Sequence, residues 1–285
     1  MRTKGQYQPL FRLDLGTDLA YVDPMSSKID NQNTSDLTAV SMDSAADRGV
    51  VSKWPKKHFP MTPEQQKAKV DFLKIWHELL PHKYGLIEKF NHESSLIRNS
   101  VTPGCRTLEI GAGLGEHLAH ENLEDQDYTA VEIRQDFADV IKQRYPKVKV
   151  VVGDIQNKLD FAENSFDRIL AIHVLEHLPD LPAALAEVKR ILKPDGTFVV
   201  VIPCEGGLAY QLARRISAQR IFEKTFKMPY GPIIKNEHIN QAWEILQELN
   251  TTFKVEQSTY WPLMVPITQI NLVIGMICRK TSHLP

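Results

Sequence analysis

TLEIGAGLGE, Thr107 to Glu116, decides the fold: a short apolar run carrying one acid, Glu109, leads straight into three glycines at alternating positions, Gly111, Gly113 and Gly115. Glycines so placed let the backbone turn sharply from strand to helix, and they leave no Cβ to hold a ligand away from the main-chain N–H groups. A nucleotide-like guest is implied. A nicotinamide-binding unit favours GxGxxG, but the third glycine here falls one position earlier. A Walker-type phosphate loop needs Lys and then Ser or Thr where Glu116 and His117 stand.

Tyr128 to Ile133 (YTAVEI) reads as a second strand and puts Glu132 about 20 residues beyond the first glycine, where a βαβ unit presents an acid to a ribose. A third run, Val148 to Val152, ends in Gly153 and Asp154. A fourth, Phe166 to Ile172, ends in His173, Glu176 and His177. Polar residues recurring at four strand ends point to a site, because ligands of open parallel sheets sit beyond the carboxyl ends of the strands.

The order LEIGAGLG, AVEIR, VVGDI, FDRILAIHVLEHLPD and LKPDGTFVVVIP resembles the class I S-adenosylmethionine-dependent methyltransferases of the small-molecule type, over roughly residues 101–203. The fold so implied is α/β, doubly wound and Rossmann-like: a seven-stranded, mostly parallel sheet with an antiparallel terminal hairpin and helices on both faces. The resemblance implies S-adenosylmethionine as cofactor. It assigns Glu109 and the turn Gly111, Ala112, Gly113 and Gly115 to the methionine end, Glu132 with Ile133 to the ribose, Asp154 and Ile155 to the adenine, and His173 to the cofactor side through its backbone. Two acceptor oxygens on Glu132 suit a diol, and carboxylates favour a cationic sulfonium. The layout with FNH at Phe90 to His92, a basic helix after PCEGG, and NEHIN resembles bacterial methyltransferases of surface-polysaccharide or secondary-metabolite pathways.

The 285 residues are 42% apolar with a net charge of −1. That suffices for one large α/β domain with extensions and gives no global electrostatic footprint for nucleic acid. Cys105, Cys204 and Cys278 form no CxxC pair, so reduced thiols and a cytoplasmic setting are expected. No apolar run of ~18 residues predicts a spanning helix, and the amino terminus lacks the pattern of a secretory signal. Residues 1–57 read as a mobile arm, since Ser26 to Ser52 offer few large apolar groups to offset ordering entropy. Residues 58–100 read as a helical cap, with a helix opened by Thr62-Pro63-Glu64 and closed by Pro81. The methyltransferase domain then takes 101–285, with an insert at about 204–238.

Within that insert, Leu208 to Phe226 reads as a helix bearing Arg214, Arg215, Arg220 and Lys224. Those cations either greet an anionic acceptor or solvate an outer face, and the second is the plainer reading. The acceptor itself reads as a small molecule or glycan precursor, methylated at oxygen. A quinone or lipid precursor is the enzyme alternative, suited to YWPLMVP at Tyr260 to Pro266; a non-catalytic binding subunit is the other. Methyl transfer needs alignment and removal of the acceptor's proton. His177 is the first candidate for that proton and His238, in NEHIN, the second. His173, Glu176 and His177 match HxxEH, but a strand running into the motif argues against a zinc peptidase. Quinone-ring methyltransferases carry acids in a similar segment to hold a divalent cation; His173 stands where the first acid is expected, so no metal is assigned.

Overall fold

The computed structural model describes residues 53–83 and 85–280; most of the stretch read as an amino-terminal arm lies outside them. Seven strands form one sheet in the order β3(Lys149–Val152), β2(Asp127–Glu132), β1(Arg106–Ile110), β4(Phe166–Ile172), β5(Leu192–Pro203), β7(Val273–Lys280), β6(Phe253–Trp261). The first five are parallel and the β5–β7–β6 end is antiparallel. This is the sheet the sequence predicts. The winding direction reverses between β1 and β4, and such a switch point opens a crevice at the strands' carboxyl ends.

Alternation along the central strands supplies both faces of the core. Leu108 and Ile110 of β1, Ile169 and Ala171 of β4, and Phe198, Val200 and Ile202 of β5 pack on one face, against α5(Leu181–Ile191) and α9(Ala242–Thr252). Leu170, Val199 and Val201 pack on the other with Ala130, Ile97 and Ile141. A period of two, with apolar residues at both phases, is what a strand covered on both sides requires. Asp180 caps α5 by accepting from the Ala183 N–H at 3.2 Å, and Pro182 occupies its first turn, as helix starts favour.

Among the described residues three helices, α1(Pro63–Lys83), α2(Gly85–Glu93) and α3(Ser95–Asn99), precede the sheet. Pro81 does not close α1; the helical backbone continues to Lys83. The insert forms α6(Leu208–Arg214), a π-helical turn Arg215–Gln219, α7(Arg220–Phe226) and α8(Gly231–Glu237). Its apolar residues pack on α1: Phe72 meets Phe222 edge-on at 5.2 Å and Tyr230 at 5.8 Å. Upstream of α1, Trp54 donates to Glu248 at 3.2 Å and Lys56 pairs with Glu244 at 2.6 Å, tying this segment to α9. Among the described residues no helix is long and apolar enough to cross a membrane.

One charged pair lies under the sheet. Arg168 on β4 is 1% exposed and donates to Glu121 at 2.9 Å and to Ser100 Oγ at 2.8 Å. Removing one member of such a pair strands its partner's charge in a low dielectric. Arg168→Ala should therefore lower the unfolding free energy in urea by about 3–5 kcal/mol, and a loss below ~1 kcal/mol would show that the pair is solvated after all.

Candidate active site

The glycine turn leaves β1 with Gly111, Gly113 and Gly115 all in the left-handed region, at φ +65°, +57° and +80°. A Cβ on Gly111 would come within 2.6 Å of Val174 Cγ2, so glycine there lets the turn rest directly on the segment that follows β4. Gly113 serves the other partner: its N–H donates to Glu132 Oε2 at 2.9 Å. Arg134 N–H donates to Glu132 Oε1, also at 2.9 Å. The carboxylate at the end of β2 is thereby fixed, and each oxygen keeps a further lone pair. Burial pushes its pKa up, opposed by these N–H donors. Beside it Ile133 is 63% exposed, an apolar side chain on the crevice edge.

Two expected cofactor residues look inward. Glu109 is 3% exposed and accepts a hydrogen bond from Tyr128 Oη at 3.0 Å; burial pushes its pKa up to about 8 against that bond. Asp154 spends its carboxylate on its own turn, accepting from Gln156 N at 2.9 Å and Gln156 Nε2 at 3.0 Å, while Ile155 is buried.

On the far side of Val174 stand the histidines. His173 is left-handed at φ +53°, and its Nδ1 lies 3.3 Å from Glu176 Oε1. A short 3₁₀ turn, Leu175–His177, follows, so the expected lack of a continuous helix at HxxEH is met. His177 donates from Nδ1 to the Glu237 carbonyl at 2.8 Å, and its ring lies 5.0 Å from that of His238. His238 in turn pairs through Nδ1 with Glu205 at 2.8 Å. Residues 61 positions apart in sequence thus meet at one point. Burial lowers the His177 pKa, opposed by the carboxylates of Glu176 and Glu237. Glu176 is 1% exposed and held ionised: burial opposes ionisation, but the His173 hydrogen bond and the neighbouring imidazoles outweigh it.

His238 and Glu205 border a cavity of about 400 Å³, also lined by Arg214, Arg215 and Lys235. Sequence reading did not find Glu205, which binds both His238 and Arg214; its signal was available, an acid just past the carboxyl end of β5, as at the other strand ends. Glu237, whose carbonyl holds His177, had no such signal. Nor does His92 of the FNH segment reach this cluster: it stacks between His117 and His120, 5.4 and 5.1 Å away.

Residues 108–200 match the family described as methyltransferase domain. Residues 108–200 are therefore a methyltransferase domain. Across 124 residues it is 31% identical to a sterol 24-C-methyltransferase of Gibberella zeae, covering 38% of this chain and 30% of that protein. With a demethylmenaquinone methyltransferase of Renibacterium salmoninarum it shares 35% over 103 residues, covering 35% and 42%. The chain spans less than half the length of these curated relatives. The structure of a geranyl diphosphate C-methyltransferase from Streptomyces coelicolor superposes at a TM-score of 0.52 with 13% identity, covering 78% of this chain and 100% of that one; at that identity the likeness is one of fold.

The cofactor implied by this domain, S-adenosylmethionine, fits the residues present. Gly113 brings its main-chain N–H to Glu132, that carboxylate keeps lone pairs for a diol, and Ile133 beside it offers an exposed apolar side chain. Glu132→Ala should weaken S-adenosylhomocysteine binding in calorimetry at least about tenfold, roughly the 1.5–3 kcal/mol of a charge-assisted hydrogen bond. Asp154→Ala should weaken it less, its carboxylate being engaged by Gln156; the reverse order would refute this assignment. Glu109 supplies a pH test. Its pKa is raised on folding, so its contribution is complete below about 4.5 and is lost as the pH rises through about 8. Ligand-free wild type should lose up to about 1.4 kcal/mol per pH unit from this group across that window. In Glu109→Gln that part of the slope should vanish, as read from urea midpoints.

Proposed function

We propose that this protein is an S-adenosylmethionine-dependent methyltransferase of the cytoplasm, moving a methyl group to an oxygen of a small-molecule or glycan-precursor acceptor that carries an anionic group. The reading is supported above all by one juxtaposition: the glycine turn and Glu132 on one side of Val174, and the Glu176, His177 and His238 cluster, opening on a basic cavity, on the other. The free, buried cysteines Cys105, Cys204 and Cys278 suit a reducing compartment.

When bound, the cofactor supplies an electrophilic methyl group on a sulfonium whose leaving group is a neutral thioether. The chain's own residues have two tasks. Glu132 and the Gly111–Gly115 turn fix one reactant, and the cavity fixes the other, converting an encounter into an aligned contact. His177 and His238 are the catalytic pair, since a hydroxyl gains nucleophilicity as it loses its proton, His238 borders the cavity and the His177 ring lies 5.0 Å from it. Arg215 and Lys235 are exposed on the cavity wall. Arg214 is neutralised by Glu205, which leaves these two to meet an anionic acceptor.

A quinone or lipid precursor is the second reading, favoured by the exposure of Leu208, Leu212 and Ile216, at 69%, 61% and 69%, along the helix beside the cavity. Transfer of tritium from methyl-labelled cofactor to fractionated small molecules decides between them: label should enter the anion-exchange fraction, whereas label in the organic phase would favour the second reading. No transfer to either would sink the enzyme. With the acceptor in hand, the double variant Arg215→Ala and Lys235→Ala should raise KM roughly tenfold or more with little change in kcat, and added salt should mimic it in the wild type.

A further inference from the structure

We infer that Glu176, His177 and His238 form a binding site for one divalent cation of the manganese, cobalt or zinc class, at which the acceptor's oxygen is also held. The inference rests on the methyltransferase reading and gives its catalytic pair a mode of action.

The donor atoms are already gathered. A carboxylate oxygen of Glu176 and one nitrogen from each ring lie within 4.8 Å of one another, with His177 Nε2 3.9 Å from Glu176 Oε1. Bonds of about 2.0–2.2 Å to a shared ion place its ligands roughly 3–4 Å apart, so a small inward shift of the rings completes the site. Among the described residues this is the one cluster with such spacing.

Glu176 gives an independent sign. It is 1% exposed, yet its Oε2 has no hydrogen-bond partner. A carboxylate oxygen buried without a partner is costly, and a bound cation removes that cost.

The outer nitrogens are held as metal-binding imidazoles usually are. His177 donates from Nδ1 to the Glu237 carbonyl and His238 from Nδ1 to the Glu205 carboxylate, both at 2.8 Å. Such bonds fix the ring orientation and, in the neutral ring, leave the Nε2 lone pair for a ligand role. Glu205 and Glu237 are therefore positioning residues.

Two imidazoles and a carboxylate suit borderline cations and leave coordination positions open. A hydroxyl bound at one of them is acidified: its proton passes to water, its oxygen forms the bond to the methyl carbon, and the methyl–sulfur bond breaks with the electron pair staying on sulfur.

The test uses the full chain without an affinity tag, stripped with EDTA and titrated with cobalt(II) chloride while its visible absorption is followed. One equivalent should bind to the wild type, and Glu176→Gln, His177→Asn and His238→Asn should each weaken it about tenfold or more. S-adenosylhomocysteine affinity on the same variants should stay within about twofold, showing that they fold and that the cofactor side is intact. Absence of cobalt absorption, or absorption that survives the three substitutions, would overturn the cation site. Loss of S-adenosylhomocysteine binding from the wild type would instead overturn the methyltransferase reading, so the two failures are told apart.

Discussion

The absence of a Cβ at Gly111 is the constraint on which the site depends. With Val174 Cγ2 only 2.6 Å from where that Cβ would be, the turn after β1 and the segment after β4 can touch only if one of them gives up its side chain. Their contact occurs where the sheet's winding reverses, and it sets the distance between two chemistries. On one side Glu132 is held by two main-chain N–H groups; on the other Glu176 and His177 begin the polar cluster.

The histidine cluster is assembled differently. His238 stands at the end of the insert, and it reaches His177 because Glu237 and Glu205 bind the two rings. Lys69 on α1 pairs with Glu237 in turn, and Lys56 pairs with Glu244 near the start of α9. Segments far apart in sequence converge on this wall through charge-assisted bonds, which prescribe geometry more tightly than apolar contact does.

This difference explains what the sequence disclosed. The central strands, the glycine turn and the placing of Glu132 at a strand end were legible because each rests on local periodicity or on spacing within one βαβ unit, whereas the seven-stranded arrangement came with the resemblance. Asp154 was legible as a strand-end acid, but its engagement by Gln156 depends on a rotamer that no pattern encodes. Glu205 and Glu237 owe their importance to rings 33 and 60 residues away, and such pairings leave no periodic trace. Pro81 was misleading in a simpler way: it removes one N–H from α1, and the helix continues past it to Lys83.

The aromatic packing of the insert has a consequence for how this protein can change. Phe222 and Tyr230 pack on Phe72 of α1, apart from the two clusters that cover the sheet. A substitution among these rings perturbs a satellite core, so its cost falls on the wall of the basic cavity, which Tyr230 lines, while the sheet keeps its packing. The cavity's lining can drift in such a molecule at little risk to the fold, and the residues on α1 that face the insert are where compensating changes should accumulate.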